Sequence, residues 1–216
     1  MPPFRIRLPL SLAFAAFLSL PFAAGCASSV EDLLQDLEGE DPDDRLDAAV
    51  ELGESGPEAA GAAKALTDRM ARDPNPLVRA ACARALARIG PRDAAEAFVR
   101  ALDDKDPLVR EEAVLALGRA RKADAAEAVA SLLAKDPSAE VRRACARVLG
   151  SLEAAGRVEA LIEALSDRDA AVRFHAQASL QRITCRDLGP APEDWQAWWK
   201  EFRTRMEASP RYPLPR

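Results

Sequence analysis

Five arginines at near-constant spacing constrain this chain more than any other feature. Arg45, Arg79, Arg110, Arg142 and Arg173 follow one another at intervals of 34, 31, 32 and 31 residues. A period of that size marks a stack of like units rather than one globular core. Four positions before each arginine stands Asp41, Asn75, Asp106, Ser138 or Asp169, each with a side-chain oxygen suited to capping the first turn of a helix. Proline follows in three units, Pro42, Pro76 and Pro107, at a position where a helix does not need the missing N–H. One before the arginine lie Val78, Val109, Val141 and Val172, with Asp44 as the exception. Three after it come Ala48, Cys82, Ala113, Cys145 and Ala176, and seven after it Leu52, Leu86, Leu117, Leu149 and Leu180. These columns are four apart and so share one helical face, an apolar stripe with a small residue where a neighbouring helix approaches. Glycine at the eighth place (Gly53, Gly118, Gly150) or the eleventh (Gly90) reads as the helix stop.

Between these helices sit alanine- and leucine-rich segments such as "PRDAAEAFVRALDD" and "KADAAEAVASLLAK", each read as a further amphipathic helix. The unit is helix, tight turn, helix, repeated five times. One pair cannot bury its own face, and about three or more are needed for a continuous core. The predicted fold is therefore all-α, an α-solenoid of about five helix-turn-helix repeats over residues 29–188. A composition of 49% apolar and 5% aromatic residues suits it.

Six positions before four of the arginines stand Asp73, Asp104, Asp136 and Asp167. With the valine, alanine and leucine columns, this pattern resembles HEAT repeats, and more narrowly the short bacterial HEAT-like units first grouped with phycobilisome lyases. The resemblance implies an inter-repeat ladder of Asp73, Arg79, Asp104, Arg110, Asp136, Arg142, Asp167 and Arg173. The first unit departs from it with Gly39 and Asp44, as a polar terminal cap should. The resemblance also implies that the arginine-bearing helices line a concave face. That face would carry Arg84, Arg88, Arg119, Arg143, Arg147, His175 and Arg182. Two readings of it stand: a groove for an acidic segment of another protein, or solvated arginines covering alanine-rich helices. The implied function is a non-enzymatic protein-binding scaffold. The alternative is an accessory or lyase-like enzyme, suggested by the name of the repeat group.

All three tryptophans lie in "LGPAPEDWQAWWKEF", where Pro192, Glu193 and Asp194 mark a helix start. Trp195, Trp198, Trp199 and Phe202 recur at helical spacing. They are read as a capping helix over residues 189–206 that closes the last repeat, with an aromatic docking site as the other reading. Residues 207–216 are proline-rich and read as a disordered tail.

Residues 1–25 read as an export signal: two arginines, then the apolar run "LPLSLAFAAFLSLPF", then small residues. The run from Leu8 to Ala24 contains two prolines and is marginal against the about 20 residues of a spanning helix. "AAGC" resembles the lipobox of bacterial lipoproteins. It implies that Cys26 is lipidated at the head of residues 26–28 and that the protein is a membrane-anchored lipoprotein on the periplasmic side of the envelope. Ala27 in place of aspartate favours the outer membrane. Conventional cleavage leaving Cys26 a plain thiol is the alternative. Removing the signal takes two arginines and moves the formal charge from −5 to −7. Between Glu31 and Glu58 twelve carboxylates face one arginine, Arg45. An acidic exported chain makes a poor partner for nucleic acid, which needs basic patches.

No catalytic constellation emerges. His175 is the only histidine, so neither a metal site nor a histidine-based mechanism is expected. Cys82 and Cys145 fall two repeats apart, about 20 Å at about 10 Å per stacked unit. That is too far for a disulfide, whose Cα atoms lie within about 7 Å. Both read as small buried apolar residues. Cys185 reads as a free thiol without a base. No cofactor is expected.

Overall fold

The structure, a computed structural model, describes residues 28–90, 94–152 and 155–208. The export signal, Cys26 and residues 209–216 lie outside the described residues. Eleven α-helices make up the described chain: α1 (Val30–Glu38), α2 (Pro42–Glu54), α3 (Ala63–Arg72), α4 (Pro76–Ile89), α5 (Ala95–Ala101), α6 (Pro107–Arg119), α7 (Ala126–Lys135), α8 (Ala139–Ser151), α9 (Val158–Ala164), α10 (Ala170–Thr184) and α11 (Pro192–Ala208). They pair as five antiparallel repeats, α1–α2 to α9–α10, with α11 after them. The fold is an all-α solenoid.

Every even-numbered helix starts as its sequence dictates. Asp41, Asn75, Asp106 and Asp169 each accept the backbone N–H two residues on at 2.9 Å, and Ser138 accepts that of Val141. Prolines occupy the first turn of α2, α4 and α6. The apolar stripe is the core: no residue of the valine, small-residue and leucine columns is more than 2% exposed, the exposed Asp44 excepted. Each fully buried leucine contributes about 1.5–3 kcal/mol relative to exposure.

Gly53, Gly118 and Gly150 do not stop their helices. Each lies inside the last turn, and α2, α6 and α8 run on to Glu54, Arg119 and Ser151. Their role is contact between repeats. A Cβ on Gly53 would lie 2.9 Å from the Ala85 Cα, one on Gly118 2.9 Å from a Val148 methyl, and one on Gly150 2.7 Å from the Ser179 Cβ. Gly90 alone keeps the role of stop, at φ 71°, where a residue without Cβ is at ease. With glycine or Ala87 at this place, the even helices pack more extensively on one another than the odd helices do.

α11 packs on α9, as α3 packs on α1, α5 on α3 and α9 on α7. Trp195 is fully buried with its indole N–H donated to the Gly189 carbonyl at 2.8 Å, and Trp199 and Phe202 are buried beside it. Trp198 stacks on Phe202 and carries the Arg186 guanidinium 5.5 Å above its ring. Trp195, Trp199 and Phe202 thus pack into the end of the stack beside α9.

Candidate functional site: the ladder and the face of the even helices

The repeat arginines form one buried rail. Arg45 gives Nε and Nη2 to both carboxylate oxygens of Asp73, at 2.7 and 3.1 Å. Arg79 does the same to Asp104, Arg110 to Asp136 and Arg142 to Asp167, all between 2.7 and 2.9 Å. Each arginine thus reaches forward to the aspartate of the next repeat. Its Nη1 is bound to two carbonyls of its own repeat, as in the bonds of Arg110 to Asp104 O and Lys105 O. The aspartate also accepts the N–H two residues ahead, for example Asp136 from Ser138 at 2.9 Å. Bidentate geometry with three hydrogen bonds on each carboxylate is what makes such pairs favourable in a dry site.

Two members depart from the ladder implied by the sequence resemblance. Arg45, absent from it because the first unit has no aspartate of its own, is engaged by Asp73. Arg173, included in it, meets no carboxylate among the described residues. It keeps the two carbonyl bonds, to Asp167 and Arg168, and lies exposed because its helix has no even-numbered successor among them.

The ladder shifts the protonation of its members. For Asp167 the Arg142 hydrogen bond is the main cause, holding its carboxyl below the usual range against the opposing effect of burial. For Asp73 and Asp104 burial pushes upward most strongly, but arginine bonds, backbone N–H bonds and nearby positive charges together win and leave both carboxyls lowered.

The positions one, five and nine after each repeat arginine point away from the odd helices, opposite the buried stripe. They are Leu46, Val50 and Glu54 in α2, then Ala80, Arg84 and Arg88 in α4. Glu111, Leu115 and Arg119 follow in α6, Arg143, Arg147 and Ser151 in α8, and Phe174, Ala178 and Arg182 in α10. The face therefore changes from apolar and acidic in the first repeat to one with two arginines each in α4 and α8 and one each in α6 and α10. Arg88, Arg119, Arg147 and Arg182 are exposed and make no ion pair among the described residues.

Arg84 and Arg143 are already engaged. Arg84 donates to Glu112 Oε1 through Nε and Nη2 at 3.1 and 2.6 Å, and Arg143 lies 3.9 Å from Glu111. Glu112 is 8% exposed, and its other oxygen finds no partner among the described residues. Sequence reasoning missed Glu112. Its only signal is its place two after a repeat arginine, the side of the helix that meets the fifth position of the preceding even helix. His175 sits half-buried, its ring edge-on to Phe174. Burial chiefly, and the charges of Arg147 and Arg143 after it, lower its pKa.

Cys82 and Cys145 are buried free thiols, and Cys185 is exposed. Burial pushes the Cys82 thiol up to about 12 and that of Cys145 higher still, the opposite of a nucleophile's needs. Among the described residues no cluster of histidine, cysteine and carboxylate residues is arranged to hold a metal, and no helix is long and apolar enough to cross a membrane. Two shallow clefts of about 390 and 310 Å³ lie on the odd-helix side, one between α1 and α3 and one between α5 and the segment leading into α7.

The fold recurs in solved structures. The complex of CpcE and CpcF of phycocyanin lyase from Nostoc sp. PCC7120 matches with a TM-score of 0.67 at 21% identity, over 86% of this chain and 74% of that one. A designed armadillo repeat protein matches at 0.58 and 20% identity, covering 84% and 93%. A second one, in complex with a (KR)4 peptide, matches at 0.58 and 18% over the same shares. No curated protein matches. The HEAT repeats family matches residues 63–150 and 126–193, together more than half of the sequence. The chain belongs to the HEAT repeat family.

Proposed function

We propose that this protein is a non-catalytic scaffold that binds an acidic segment of another protein on the face of its even-numbered helices. The carrying observation is the contrast between two sets of arginines. Those of the ladder, Arg173 at its end excepted, are buried and paired; Arg88, Arg119, Arg147 and Arg182 are exposed and free of carboxylates among the described residues. A row of unneutralised guanidinium groups on rigid helices attracts a negative partner and fixes it through bidentate bonds. Membership of a repeat family built of extended surfaces supports a binding role.

The protein acts at the bacterial envelope in this proposal, exported by residues 1–25 and held on the periplasmic side of a membrane, the outer one favoured, by lipid on Cys26. The support is the "AAGC" sequence.

Affinity capture from envelope extracts, repeated with Arg88, Arg119 and Arg147 changed to glutamate, tests the face; an unchanged set of captured proteins rejects it. Fatty-acid labelling of the native protein and of Cys26→Ala tests the anchor, and equal labelling of both rejects it. The likeness to the phycocyanin lyase complex, at 21% identity, speaks to the fold. Co-purification of a chromophore would favour the lyase-like alternative.

A further inference from the structure

We propose that Arg173 is an open rung of the ladder, at which an aspartate or glutamate of the bound partner takes the place that a following repeat's aspartate takes elsewhere. This rests on the binding role proposed above and assigns the partner its anchoring group. The four preceding arginines hold one arrangement, with Nη1 on two carbonyls of their own repeat and Nε with Nη2 on the next aspartate. Arg173 reproduces the first half, with Nη1 2.8 Å from Asp167 O and 3.2 Å from Arg168 O. Its Nε and Nη2 are therefore held in the orientation that captures a carboxylate, and no carboxylate among the described residues meets them. Residues 209–216, which follow α11, contain no aspartate or glutamate.

Two features define the occupant. Phe174, next to Arg173, is 67% exposed, the most exposed large apolar side chain described, so the carboxylate should be accompanied by an apolar side chain. Further along α10, Gln177, Ala178 and Gln181 are only half-buried, in contrast to the exposed Arg173 and Phe174. The first turn of α10 is thus exposed at Ala170, Arg173 and Phe174 together. A short acidic segment laid across that turn reaches both Arg173 and Phe174. The interface continues the contact that joins every pair of repeats in the chain.

A capped peptide of residues 134–141, AKDPSAEV, is a suitable probe, because in the stack it delivers Asp136 to Arg110. It is titrated into the intact protein while the arginine Nε–H signals are followed by 15N NMR, the Arg173 signal being identified by its loss in Arg173→Lys. The Arg173 signal should move saturably, and a peptide with Asp136→Asn should bind at least about tenfold more weakly. Arg173→Lys, which keeps the charge but loses the fork, should weaken binding similarly and leave the melting temperature unchanged. Movement of Arg119 and Arg147 without Arg173 overturns the open rung and leaves the basic face standing. If no arginine signal responds, both fail.

Discussion

A single ladder residue carries more weight here than its size suggests. Asp136 is buried, with one oxygen on Arg110 Nε and the other shared between Arg110 Nη2 and the Ser138 N–H. Replacing it with alanine strands a buried guanidinium, so Asp136→Ala should destabilise the fold by about 3–5 kcal/mol. Arg173→Ala, at the exposed end, should stay within about 0.5 kcal/mol. Urea denaturation of the two variants checks the contrast. The same carboxylates set the acid limit. Asp73, Asp104 and Asp167 have lowered pKa values in the folded protein, so their contribution is complete above the unfolded value of about 3.9 and is lost as pH falls through their folded values. Thermal melts should therefore vary little with these groups between pH 7 and 5 and fall steeply below about 4, less so in Asp167→Asn. The pairing of repeat arginines with aspartates followed from sequence resemblance; its direction did not. An aspartate six before an arginine looks like its partner, and only three-dimensional stacking shows that the arginine gives its carbonyl-bound edge to its own repeat and its fork to the next.

Among the helices, the even-numbered set was the most legible, because capping residues, proline and columns four apart all point to the same start and the same buried face. The glycine column was not. A stop in left-handed conformation and a close helix contact both call for a missing Cβ, so the letter alone does not separate Gly90 from Gly150. The structure separates them by φ and by what a Cβ would strike. Gly150→Ala should cost about 1–3 kcal/mol through overpacking against Ser179. Gly61→Ala, with open space around it and no left-handed φ, should stabilise by about 0.4–1 kcal/mol. Chemical denaturation of both variants gives the signs. Of the face residues, the exposed arginines could be picked out by their offset from the repeat arginine, whereas the neutralisation of Arg84 by Glu112 depends on the rotation of two neighbouring helices, which no single repeat encodes.

For the molecule as a whole, stability in a linear stack is a sum of repeats and of the interfaces between neighbours, so the ends open first. Among the described residues the first repeat has an interface on one side only and is crowded with carboxylates, while the last also has α11 packed on α9, with Trp195, Trp199 and Phe202 buried. Hydrogen exchange should accordingly be fastest in α1 and slowest in α4, α6 and α8, and added salt should slow it in α1 by screening the acidic repulsion. Equal protection along the chain would contradict a stack with unequal ends. The glycine contacts also set how such a stack yields to load. Along the even helices, Gly53 and Gly150 lie against the backbones of the next even helix and Gly118 against the Val148 side chain, and that row has little room to shorten. The odd helices leave clefts between them. A pull or a bend is therefore taken up by the odd row opening and closing like the free edge of a book, with the even row as its spine. The spacing of the arginines along that spine therefore stays constant while the molecule flexes, and a partner of the kind proposed above would meet the same ruler in every posture.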